Sequence, residues 1–150
     1  MATSYVSMLV HFVWSTKSRE PLIDKIWQDR LYGYLGGILR NNKAKLLAAG
    51  GMPDHIHLYV SLPSTITVAK TVNLLKSNST TWVKENIENM DRFRWQEKYG
   101  AFSVSKSGEE RLLEYIENQQ EHHRQKTFQD EFLALLQRHG IEYDERYIWD

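Results

Sequence analysis

The chain has 150 residues, 41% hydrophobic and 25% charged, which is the material for one domain with a core of its own rather than for several. Cysteine is absent, so disulfide frameworks, thiolate metal sites, iron–sulfur clusters and thiol nucleophiles are excluded together. Nineteen Lys and Arg balance nineteen Asp and Glu, which speaks against a generic polybasic nucleic-acid binder.

Charge is nonetheless uneven along the chain: residues 1–84 carry ten basic and four acidic side chains, residues 85–150 nine and fifteen. Such asymmetry suits a front half that holds phosphates, and equally an uneven surface charge without a role. No run approaches the ~18 apolar residues of a membrane span. Met1 to Thr16 lacks the basic start and small-residue cleavage site of a secretory signal, so the reading is a cytoplasmic protein with no membrane attachment.

In chain order, Tyr5 to Thr16 alternates as a strand does, with Val6, Met8, Val10, Phe12 and Trp14 on one side and Ser7, His11 and Ser15 on the other. Pro21 opens a segment in which Trp27, Leu31, Leu35 and Ile38 recur at helical spacing, and Asn41-Asn42 ends it. The apolar run Ala44 to Ala49, then Gly50-Gly51, then His55 to Leu62 predict two neighbouring strands. Val68, Val72, Leu75 and Trp82 predict a second helix from Thr65 to about Asn86. Trp95 to Val104, aromatic and interrupted by Gly100, reads as a fourth, irregular strand. Ser107-Gly-Glu-Glu110 has the form of a capping box for a helix over about 108–125. Thr127 caps a last helix, about 128–139, with Phe128, Phe132, Leu135 and Leu136 in one stripe before Gly140. The mixed acidic and aromatic tail, 141–150, has no assignment.

This order predicts an α+β, ferredoxin-like (RRM-like) βαββαβ fold: a four-stranded antiparallel sheet, both crossover helices on one face, with two additional C-terminal helices in a single domain of residues 1–150. The other face of the sheet is expected to be free.

In Pro53-Asp54-His55-Ile56-His57-Leu58-Tyr59-Val60, strand periodicity puts His55, His57 and Tyr59 on one face and the aliphatic residues on the other. Imidazoles one pleat repeat apart, about 6–7 Å between Cα atoms, can converge on one cation, or simply hydrogen-bond on a half-exposed sheet. Tyr115 and Gln119, four apart, share a helical stripe that Leu112 and His122 extend; by themselves they read as a packing tyrosine and a solvated amide.

Together, Met52-Pro-Asp-His-Ile-His-Leu-Tyr-Val60, the opening His11-Phe-Val-Trp-Ser-Thr-Lys17 and Tyr115-x-x-x-Gln119 resemble the single-tyrosine HUH transposases of small insertion sequences, the TnpA type. The resemblance spans nearly the whole chain. It implies His55, His57 and Gln119 as ligands of a divalent cation and Tyr115 as the nucleophile on a phosphodiester of single-stranded DNA. Two neutral imidazoles and an amide oxygen leave places for phosphate oxygens and water, which suits Mg²⁺ or Mn²⁺. A phenol of pKa about 10 attacking an anion needs the electrostatic help that such a cation supplies. The products implied are a 5′-phosphotyrosine and a free 3′-OH, rejoined without ATP, in keeping with the missing Walker-type loop. The resemblance also implies subterminal DNA hairpins as partners and a homodimer with exchanged tyrosine helices, for which Ser105 to Gly108 is the candidate hinge.

Lys17, Arg19 and Lys106 are candidate DNA phosphate contacts, each also readable as a solvated cation. His11 reads as a satisfied sheet histidine able to approach the site, and His122-His123 are not taken as ligands. Trp95, Tyr99 and Phe102 suit base stacking or, by default, packing. Rival functions are an RRM-like binding module without chemistry, a metal-dependent phosphodiesterase in which Tyr115 is dispensable, and a domesticated or replication-type HUH nickase. Against the domesticated branch, Asn118 is followed by Gln119, and no proline occurs after Pro63.

Overall fold

The computed structural model describes residues 4–149. The first three positions of the segment read for a secretory signal, and Asp150 of the unassigned tail, lie outside the described residues. The elements are β1 (Leu9–Ser15), α1 (Lys25–Asn41), β2 (Lys45–Met52), β3 (His55–Ser61), α2 (Val68–Asn86), β4 (Gly100–Ser103), α3 (Glu109–Glu117), α4 (Gln119–His122) and α5 (Phe128–Arg138). The sheet order is β2-β3-β1-β4 with every neighbouring pair antiparallel, the expected α+β, ferredoxin-like arrangement.

Strand alternation sorts the sheet into two faces. Val10, Phe12 and Trp14 of β1 and Ile56, Leu58 and Val60 of β3 are buried on one of them. Trp27, Leu31, Leu35 and Leu39 of α1, four residues apart, and Val72, Leu75 and Val83 of α2 join them in the main core. Both helices start at a side-chain cap: Asp24 accepts from the Ile26 amide at 2.9 Å and Thr67 from the Lys70 amide at 3.0 Å.

The face expected to be free is covered by α3, α4 and α5. Val13 and Phe102 pack there with Phe128, Phe132, Leu135 and Leu136, and Tyr143, Ile148 and Trp149 of the tail lie against the same cluster. The cause is in the α5 stripe itself, whose apolar residues need an apolar partner, and the sheet face offers one.

Two other expectations are corrected. β1 starts at Leu9 instead of Tyr5, because its partners end at Ser61 and Ser103, opposite Leu9 and Val10; Tyr5, Val6 and Met8 are exposed. The continuous helix over about 108–125 is two pieces interrupted at Asn118, a residue type of low helix propensity. Its capping box does not form: Lys106–Gly108 is a 3-10 turn, and the Ser107 hydroxyl sits 2.9 Å from that of Ser105.

Candidate active site

β3 lies between β1 and β2 and is hydrogen-bonded on both edges, so the side chains on its second face stand on a constrained inner strand. His55, His57 and Tyr59 project there and are fully buried under the C-terminal helices. Each imidazole turns Nε2 toward a common point. His57 Nε2 donates to Glu131 Oε1 at 2.9 Å, and His55 Nε2 lies 3.4 Å from the same oxygen while donating to Gln119 Oε1 at 3.0 Å.

The other ring nitrogens are held from behind. His55 Nδ1 donates to Asp54 Oδ1 at 2.7 Å, and His57 Nδ1 is 2.8 Å from His11 Nε2, the two rings stacked with centroids 5.0 Å apart. Such partners orient an imidazole and settle which nitrogen stays available to a cation. His11 is thereby both satisfied and part of the site's support.

Glu131, absent from the sequence-based set, is the hub. One oxygen faces the two histidines; the other accepts from the Tyr115 hydroxyl and from Gln119 Nε2 at 3.3 Å, with His123 Nε2 also 3.3 Å away. The carboxylate is buried, and among the described residues no lysine or arginine pairs with it. Donor atoms of His55, His57 and Glu131 lie within 4.8 Å of one another, so this group can hold a metal ion. Two imidazoles and one carboxylate fit a divalent cation, and the carboxylate brings a negative charge that two neutral imidazoles and an amide lack.

The charges follow from this packing. Burial opposes ionisation of Glu131, but hydrogen bonds from His123, His55 and His57 hold its carboxyl well below the usual range. Burial also disfavours the His55 cation, yet bonding to Asp54 and Glu131 wins and raises it to about 9. His57, which lacks a carboxylate behind its ring, is lowered by burial despite Glu131, and His11 is lowered by burial and by His57. Burial and the Glu131 charge push the Tyr115 phenol up, with Gln119 and Arg138 acting against them.

Close backbone contact seats the tyrosine helix. A Cβ on Gly50 of β2 would stand 2.5 Å from the Ile116 carbonyl oxygen, so α3 rests on a position only glycine leaves open. At its N-terminus, Tyr59 donates to Glu109 at 2.7 Å, and Lys106 binds the other oxygen of that carboxylate at 2.9 Å.

His55, His57, Tyr115 and Gln119 are thus brought together within one chain. The candidate DNA contacts are not gathered around Tyr115. Lys17 stands exposed on a 3-10 turn, Arg19 lies 5.9 Å over the Trp149 ring in a groove shared with Asp54 and His123, and Lys106 is engaged with Glu109. Trp95 is buried in the main core and Tyr99 packs against it, the packing alternative for both, while Phe102, buried in the second cluster, also lines a cavity beside Tyr115. A signal for Glu131 was present: it sits three residues after Phe128 and four before Leu135, a carboxylate on a buried stripe.

A family model described as IS200-like transposase matches residues 4–119. No curated protein matches the chain. Among solved structures, a protein described as a transposase from Deinococcus radiodurans R1 aligns with a TM-score of 0.65 at 24% identity, over 79% of this chain and 95% of that one. A REP-associated tyrosine transposase bound to a REP hairpin aligns with a TM-score of 0.55 at 14% identity, over 79% of this chain and 70% of that one. These two likenesses are of fold.

Proposed function

The chain belongs to the IS200-like transposase family, and from that premise we propose that it cleaves and rejoins single-stranded DNA, with Tyr115 as the nucleophile. The observation that carries this reading is the bond from the Tyr115 hydroxyl to Glu131, the carboxylate that also faces His55 and His57. A phenol beside a group able to hold a cation is the pairing that attack on a phosphodiester requires.

In this reading His55, His57 and Glu131 hold Mg²⁺ or Mn²⁺, with Gln119 beside them as a further oxygen ligand. A bound divalent cation supplies charge neutralisation at the scissile phosphate. Glu131 Oε2 holds the Tyr115 hydroxyl in place; as Oη attacks phosphorus in line its proton passes to water, and the bond from phosphorus to the 3′-oxygen breaks. The 3′-oxygen leaves and takes up a proton, and the 5′ end stays on Tyr115. Attack by another 3′-OH reverses the step and frees the tyrosine, so one phosphodiester is exchanged for another without an energy source.

Hairpin-bearing single strands are the proposed substrate, a proposal supported by the hairpin held by the REP-associated relative in fold. The protein is proposed to act as a homodimer that exchanges its tyrosine helices, at the nucleoid; no helix among the described residues is long and apolar enough to cross a membrane.

The test is a labelled single-stranded hairpin oligonucleotide incubated with Mn²⁺ or Mg²⁺. A protein–DNA adduct that survives denaturation, and is lost with EDTA or in Tyr115→Phe, is the expected result. Turnover without an adduct, unaffected by Tyr115→Phe, would make the protein a phosphodiesterase. Binding without cleavage would make it a non-enzymatic module.

A further inference from the structure

A cavity of about 530 Å³ opens beside Tyr115, bounded by β4, α3 and α5. It is inside the ~300–1,000 Å³ range of sites that enclose a small organic group. Phe102, Leu112 and Leu135 give it an apolar wall, and Arg111, Lys126 and Arg138 stand around it. All three cations are exposed, and among the described residues none has an ion-pair partner. Carboxylates outnumber cations in residues 85–150, yet Glu131 is the one carboxylate on this lining. Cations gathered without counter-charges repel one another, and an incoming anion relieves that repulsion.

We infer that this cavity receives the nucleotide adjoining the phosphate that Tyr115 attacks, with Arg111, Lys126 and Arg138 on the strand's backbone and the apolar wall against its base. The inference rests on the reaction proposed for Tyr115. It extends that reaction to side chains outside the motifs, because Lys126 and Arg138 lie beyond the last family-matched residue, 119. Only an unpaired base enters such a space, since a paired base offers its edges and keeps its faces stacked. Arg138 is also close enough for its charge to act on Tyr115, against the burial and the Glu131 charge that hold the phenol protonated.

The experiment measures binding alone, in EDTA, by fluorescence anisotropy of a labelled oligothymidylate of about 20 nucleotides, long enough to span an ordinary single-strand site. Full-length protein is compared with R111Q/K126Q/R138Q and with K43Q/K70Q/K84Q, a control that removes three exposed cations away from the cavity. At about 0.7 per phosphate contact, the cavity variant should lower the salt slope of log affinity by about 2, so the wild-type advantage shrinks roughly 20-fold between 50 and 200 mM salt.

A slope equal to wild type, or an equal fall in the control variant, would overturn the inference. So would the same slope change on a duplex of equal length. If the slope falls as expected but no adduct forms with a hairpin and Mn²⁺, the strand site stands and the reaction at Tyr115 is what fails.

Discussion

Replacing Gly50 by alanine tests whether the tyrosine helix works from the position in which it rests. The new methyl would lie 2.5 Å from the Ile116 carbonyl oxygen and 2.9 Å from its Cγ2. Ordinary contact begins near 3.4 Å, so α3 must lift by about 0.9 Å, the difference between the two distances. Tyr115 is the preceding residue and moves with it. Overpacking of this kind costs about 1–3 kcal/mol, or roughly 2–12 °C in melting temperature for a chain of this size. The larger effect falls on chemistry, because misplacing a reacting group by about 1 Å can cost on the order of 10²-fold in rate.

We therefore expect Gly50→Ala to fold, to bind hairpin DNA within about twofold of wild type, and to form the adduct about 100-fold more slowly, in single-turnover assays with Mn²⁺. An adduct rate equal to wild type, with the melting temperature lowered, would show that α3 leaves β2 before reaction and that the resting contact has no part in catalysis.

Glu131→Gln removes the negative charge at the hub, and calorimetric titration with Mn²⁺ should give an affinity weaker by at least the roughly 10–100-fold that losing a group behind a ligand costs; unchanged affinity would leave the ion to His55, His57 and Gln119. Metal-free protein in EDTA should lose melting temperature as pH rises from 6.5 toward 8. His55, raised to about 9 by Asp54 and Glu131 against its burial, contributes stability that is complete below 6.5 and lost as pH rises through about 9. The buried His57 and His11, both lowered, act in the opposite sense below 6.5, and Lys76, which burial lowers to about 8, acts in the opposite sense above 8. A steady rise in melting temperature across 6.5–8 would contradict this. Gly33→Ala, in α1 with no atom within 4 Å of the added carbon, should stabilise by about 0.5–1 kcal/mol through helix propensity, read in urea denaturation.

Much of the architecture was legible because alternation and helical spacing report burial directly. Val10, Phe12 and Trp14, and Trp27, Leu31 and Leu35, lie where periodicity put them, and His55 and His57 share a strand face for the same reason. What spacing could not reveal was which chain-distant group would sit among those histidines. Glu131 is 74 residues from His57, and its only local sign was a carboxylate among the apolar positions of α5. The covered second sheet face belongs to the same omission: the α5 stripe was read as one amphipathic helix without asking what it must bury against. Helix ends were misread at Asn118, where the helix breaks, and at Ser107, whose hydroxyl meets that of Ser105 instead of capping the next turn. The first strand was overextended at Val6 and Met8 because alternation cannot tell how far a partner strand reaches.

The interruption at Asn118 divides Tyr115 from Gln119 mechanically. In an unbroken rod, any tilt that swings the phenol would drag the amide by the same angle and pull it off His55. With a break between them, a tilt of the upstream segment is taken up first by the single 3.3 Å bond from Gln119 Nε2 to the Tyr115 carbonyl, much as a wrist turns beneath a fixed forearm.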